Sequence, residues 1–161
     1  MKFKIVPGPP DSLEGLSEMH TAVPIVPDDE PSCCARLLQR TGVGSQDRAK
    51  EWLTFLRALE LVNETGGKYH RIQRDSGIDA LQKSFRERVY LVDDVLSVLS
   101  AADEPLDSAA VFERVEDRLP HWERLRHTDP EAVWRERVRR LLEWAVLFEM
   151  VERVDGGYRR A

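Results

Sequence analysis

Long hydrophobic runs are missing from this chain of 161 residues. The longest, such as Trp144 to Phe148, extend over about five residues, far below the roughly 20 that a membrane-crossing helix needs. The first residues, Met1 to Val6, alternate charge and apolarity and lack the apolar stretch of a secretion signal, so a cytoplasmic protein is expected. Cysteine is scarce: Cys33 and Cys34 are neighbours, a spacing that rarely meets disulfide geometry, and reduced thiols are expected. No C-x-x-C occurs, and His20, His70, His121 and His127 form no i, i+4 pair, so no structural metal is expected. Catalytic patterns are equally thin. Gly42 and Gly44 lack the Lys-Ser/Thr that completes a phosphate-binding loop and read as a turn. The acids at Asp28 to Glu30 and at Asp93 and Asp94 have no partner acid or His at a catalytic spacing, and no Ser stands in G-x-S-x-G. An enzyme is not expected, and no cofactor is implied.

What is present is enough apolar material to fold, 42% hydrophobic against 33% charged, in a length that holds one ordinary domain or two very small ones. An internal repeat decides between them. Sliding the chain by 89 residues aligns the stretch from Arg48 with the stretch from Arg137. Arg48/Arg137, Leu53/Leu142, Glu60/Glu149, Val62/Val151, Gly67/Gly156, Tyr69/Tyr158 and Arg71/Arg160 are identical. Each copy also shares an order of signals. Trp52, Leu53, Leu56, Leu59 and Leu61 recur at helical spacing, as do Leu141, Leu142, Ala145, Phe148 and Met150. Each run passes into a β-prone Val and then a Gly-containing turn that suits a tight hairpin.

Further helices precede each unit. Ser12 to His20 reads as a short helix, Met1 to Val6 as a candidate strand, and Pro31 opens a helix running through Cys33 to Arg40. Ser45 then caps the helix that leads to the first hairpin. In the second copy one long helix is expected from about Ile78 to Ala102, with an apolar stripe of Phe85, Val89, Val92, Val95, Leu96 and Leu99. Ser108 is expected to cap a shorter helix ending at Pro120, a loop carries Trp122, and Thr128 or Asp129 with Pro130 starts the last helix.

Helix, short strand, helix, turn, helix, hairpin is the order of a winged-helix domain, and the chain resembles two of them in tandem over nearly its whole length. The expected fold is mainly α with small β-hairpins, divided into residues 1–75 and 76–161, the second led by the long helix. Among 24 basic residues 19 are Arg, a bias that accompanies GC-rich genomes and, with a surplus of acid, some halophilic archaea, so a prokaryotic origin is expected, with the haloarchaea as a candidate source. The resemblance implies that the third helix of each domain, about Ser45 to Leu61 and Asp129 to Met150, enters the DNA major groove while the wing touches backbone.

Charge decides how far that implication carries. The net charge is −5, with −1 in residues 1–75 and −4 in 76–161. Yet from Arg118 to Arg140 seven Arg face four acids, and Arg153, Arg159 and Arg160 add charge to the wing. The candidate DNA-binding residues are therefore Arg135, Arg137, Arg139, Arg140, Arg159 and Arg160 in the second copy, with Arg48, Lys50 and Lys68 in the first. The competing reading is a solvated helix face laced by the i, i+4 pairs Glu131/Arg135, Glu136/Arg140 and Arg139/Glu143. Two functions stay open: a DNA-binding transcriptional regulator acting on double-stranded DNA, and a non-enzymatic protein-interaction scaffold. Scaffolds of this kind resemble the winged-helix subunits of bacterial condensin or of membrane-remodelling complexes. The Val89 to Leu99 stripe is in addition a candidate homodimer element, and the Trp residues Trp52, Trp122, Trp134 and Trp144 read as core, Trp122 least so.

Overall fold

The computed structural model describes residues 2–73 and 77–161. The chain divides into two compact units that meet at Val89 and Tyr90. The expected boundary at 75/76 lies outside the described residues.

The first unit runs α1 (Leu13–Ala22), β1 (Asp28–Asp29), α2 (Glu30–Arg40), α3 (Gln46–Ala58), β2 (Val62–Thr65), β3 (Lys68–Arg71) and α4 (Ile78–Arg88). Asp29 and Ser45 accept the backbone N–H groups of Ser32 and Arg48 and so cap α2 and α3. Leu16, Leu37, Phe55, Leu56 and Phe85 close the core, with Phe55 and Phe85 edge to face at 6.3 Å. The three strands form one antiparallel sheet in the order β1-β3-β2, placing Asp28 opposite Tyr69 and Val62 opposite Arg71. The N-terminal segment contributes a single bridge, Phe3 with Val89, rather than a strand.

The second unit runs α5 (Val92–Ala101), α6 (Ser108–Val115), a 3-10 turn (Glu116–Arg118), α7 (His121–Arg126), α8 (Pro130–Leu147), β4 (Val151–Val154) and β5 (Gly157–Arg160). Leu106 exchanges two backbone hydrogen bonds with Tyr158 and so stands where β1 stands in the first unit. Its backbone lies 3.2 Å from where a Cβ on Gly157 would be, which explains glycine at the position that Lys68 holds in the first wing. Asp107, not Ser108, caps α6, by accepting the Ala110 N–H at 2.8 Å. The carboxylate is one residue earlier and equally able to accept.

The two copies agree at the backbone. Leu61 N–H reaches Leu56 C=O as Met150 N–H reaches Ala145 C=O, and Glu60 and Glu149 both hold φ 62°. These are Schellman helix ends with Glu at the left-handed position where Gly is usual. Gly66 and Gly67, and Asp155 and Gly156, have positive φ in the hairpin loops, the type I′ pattern that matches strand twist.

The single long helix expected over 78–102 is instead α4 and α5. Leu91 adopts φ 73°, which no helix interior accommodates, and its side chain is buried. Val89, Val92, Val95, Leu96 and Leu99 are all buried within the units, so that stripe offers no face to a second copy.

Candidate nucleic-acid interface

The conserved backbone pattern allows α3 and α8 to be compared position by position. With an offset of 89, Arg48 matches Arg137, Lys50 matches Arg139, and α3 and α8 end together at Ala58 and Leu147. Their beginnings do not match. The caps of α2 and α6, Asp29 and Asp107, are 78 residues apart, whereas the caps of α3 and α8, Ser45 and Asp129, are 84 apart. The stretch from the cap of the second helix to the cap of the third therefore gains six residues in the second unit, and α8 gains five at its start. Where the first unit has only the short turn from Thr41 to Ser45, the second has the stretch from Glu116 to Asp129, with α7 inside it.

In the first unit the third helix ends in a hairpin that α1 holds at its base. His20 Nε2 lies 2.9 Å from the Ile72 carbonyl oxygen, and Arg71 Nη1 donates to the Thr21 carbonyl at 3.0 Å. Arg71 N–H donates to the Pro24 carbonyl at 2.7 Å. Burial holds the His20 pKa below its usual value, assisted by the charge of Arg71 and opposed by hydrogen bonds to the Ile72 and Leu61 carbonyls. On this frame Arg48 is exposed in the first turn of α3, and its side chain has no partner among the described residues. Lys68 is exposed on β3 with no ion pair among the described residues, and its charge is felt by Asp29, opposite it on the neighbouring strand. Lys50 faces Glu30 at 3.6 Å.

The second unit treats its arginines differently. Arg135 donates from Nε and Nη2 to Glu131 Oε1, at 3.2 and 2.7 Å, and lies over the Phe112 ring. Glu136 takes both Arg139, at 2.7 Å, and Arg140, at 3.2 Å, and these donors hold its carboxyl pKa below the usual value. The expected Arg139/Glu143 pair is absent, because Glu143 is held by Arg153 and by the Tyr158 hydroxyl. Arg137 stacks on the buried Trp134, 4.6 Å from the ring centroid. On the wing Arg159 pairs with Glu152 at 2.9 Å, and Arg160 donates to the Met150 carbonyl. The arginine run read from the sequence is real, but each of its candidates already has a partner.

Order of elements, sheet register and helix ends thus define two winged helices. A family model described as the halobacterial double winged helix domain matches residues 1–161. The chain belongs to this family. No match is found among curated proteins or among solved structures. Winged-helix domains are typically non-enzymatic. No group of His, Cys, Asp and Glu among the described residues is arranged to hold a metal ion. Cys33 and Cys34 of the double winged helix are buried and unpaired with each other, and burial pushes the Cys33 thiol up to about 11. No helix among the described residues is long and apolar enough to cross a membrane.

Sequence reasoning missed the inserted helix α7, because six residues between a proline and a second turn leave no period to read. It carries Trp122, which is 52% exposed, while Trp52, Trp134 and Trp144 are core.

Proposed function

We propose that this double winged helix binds double-stranded DNA as a transcriptional regulator, without catalytic chemistry of its own. The observation that carries the reading is the pair Arg48 and Lys68, exposed cations on the third helix and the wing of the first unit that form no ion pair among the described residues, although Asp29 stands opposite Lys68. Phosphate contacts supply most of the affinity of such proteins, and helix and wing are the elements that reach the duplex. Charge by unit points the same way: residues 1–89 carry 13 basic and 13 acidic side chains, while residues 90–161 carry 11 and 16. The first unit is neutral and the second has the whole net charge of −5.

Arg135, Arg137, Arg139, Arg140, Arg159 and Arg160 belong to the same proposal in a secondary role. Exposed ion pairs contribute about 0–1 kcal/mol, so phosphate can replace Glu131, Glu136 or Glu152, but the released carboxylate then faces the duplex. The test is fluorescence anisotropy of a labelled random duplex at several KCl concentrations. Wild type should bind with a clear salt slope, and Arg48→Ala with Lys68→Ala should flatten it by up to roughly one unit per lost contact. Arg139→Ala with Arg140→Ala should flatten it less. The reverse ranking would move the reading surface to α8, and an absence of binding at low salt would end the proposal.

A further inference from the structure

The stretch between α6 and α8 contains a helix, α7, that is inside out. Glu123, the one buried acid among the described residues, points inward at 1% exposure, beside His127 Nε2 at 3.5 Å and Arg126 at 3.9 Å. Trp122 and Leu125, three residues apart on α7 and so on one face, are 52% and 74% exposed. A surface helix folding only to remove apolar area from water would turn the other way, with its carboxylate outward and its Trp and Leu inward. α7 is turned in the opposite sense and is tied to the 3-10 turn that precedes it. Arg124 Nη2 donates from α7 to the Glu116 carbonyl at 3.0 Å, and the 3-10 turn before it is held in place, Tyr90 hydroxyl donating to the Arg118 carbonyl and Arg118 reaching Asp94 at 2.5 Å.

We propose that α7 is a docking surface for an acidic, apolar-anchored segment of a protein partner. Two observations select this occupant. Between Arg118 and His127 lie three Arg and two His, and although Arg118 pairs with Asp94 and Arg124 with Glu116, this stretch is locally basic on a unit that is otherwise acidic. Arg126 is the most open of these cations, 66% exposed. A segment with one or two large apolar side chains flanked by Asp or Glu is complementary to that arrangement. The area also fits a short segment: two side chains fall far short of the roughly 800 Å² per partner of a standard interface, which disfavours a second copy. DNA would place phosphates against Trp122 and Leu125 and against the net charge of this unit, and it matches less well. The proposal does not rest on DNA binding by the first unit, since no residue is shared.

The probe is a displayed library of short randomised peptides, selected on the full chain at low salt and in molar KCl, with Trp122→Ala/Leu125→Ala as the counter-selection target. Peptides combining large apolar residues with carboxylates should be enriched on wild type and should lose at least about tenfold in affinity on the double variant. Arg126→Glu should weaken the same peptides, whereas Val26→Ala, at an exposed apolar residue of the first unit, should leave them unchanged. Circular dichroism of the double variant separates loss of docking from loss of fold. Equal enrichment on wild type and double variant overturns the proposal. So does recovery of no peptides with duplex affinity falling in the double variant, which would make α7 a DNA contact. Concentration-dependent self-association abolished by the double variant would assign the face to a second copy and overturn it as well.

Discussion

Glu60 and Glu149 occupy the same left-handed position at the end of the third helix, and the contrast between them shows what a residue in strained backbone is there to do. A Cβ at positive φ costs roughly 1–2 kcal/mol relative to glycine. At Glu60 the cost is offset: its carboxylate accepts the hydroxyl of the buried Ser84 at 2.7 Å and pairs with Arg88 at 3.0 Å, tying α4 to the end of α3. Glu149 is exposed and makes no such contact among the described residues. Glu149→Gly is therefore expected to stabilise the protein by about 1 kcal/mol, read as a higher urea midpoint at unchanged m-value. Glu60→Gly should gain nothing or lose stability, because the buried Ser84 hydroxyl is left without its acceptor, at a cost of about 1–3 kcal/mol. Equal stabilisation by both changes would show that the Ser84 and Arg88 contacts contribute nothing.

At the scale of elements, α1 and the first wing act as one piece because His20 and Arg71 join them, and that joint titrates. The folded-state pKa of His20 lies below its ordinary value, so the unfolded chain binds the proton more readily. The stability tied to neutral His20 is fully present above about pH 6.5 and is lost as pH falls through the folded value. Urea midpoints measured between about pH 5 and 7.5 should fall on acidification, and His20→Gln, which keeps a donor for the Ile72 carbonyl, should remove that part of the slope. An unchanged slope would place the proton elsewhere. The elements themselves were largely readable in advance. Caps at Ser45 and Asp129, the glycine-bearing hairpin turns and the 89-residue repeat are local signals, and local rules set them. The break at Leu91 was not readable: Phe85 to Leu99 keeps helical spacing across it, and only tertiary packing decides that Val89 bridges to Phe3 while Leu91 turns left-handed. The arginines of α8 were legible as a run, but not their carboxylate partners. Whether Arg139 takes Glu136 or Glu143 depends on Arg153 and Tyr158 arriving from the wing.

For the whole molecule, the repeat supplies two backbones of one kind that carry different charges, one neutral and one acidic. With a net charge of zero in residues 1–89 and −5 in residues 90–161, self-repulsion falls almost wholly on the second unit. Repulsion of that kind acts over about 30 Å at 0.01 M salt and about 3 Å at 1 M. Raising KCl should then stabilise the second unit more than the first, even though the exposed pairs of α8, Glu131 with Arg135 and Glu136 with Arg139, are themselves weakened by screening. Those pairs contribute at most about 1 kcal/mol each and oppose the trend without reversing it. Hydrogen–deuterium exchange on the intact chain distinguishes the units directly. Protection in α8 and α5 should rise between 0.01 and 1 M KCl, while α3 and β2 change little. Parallel gains in both units would identify a general salt effect on apolar burial instead, and a loss confined to α8 would mean that its ion pairs outweigh the repulsion.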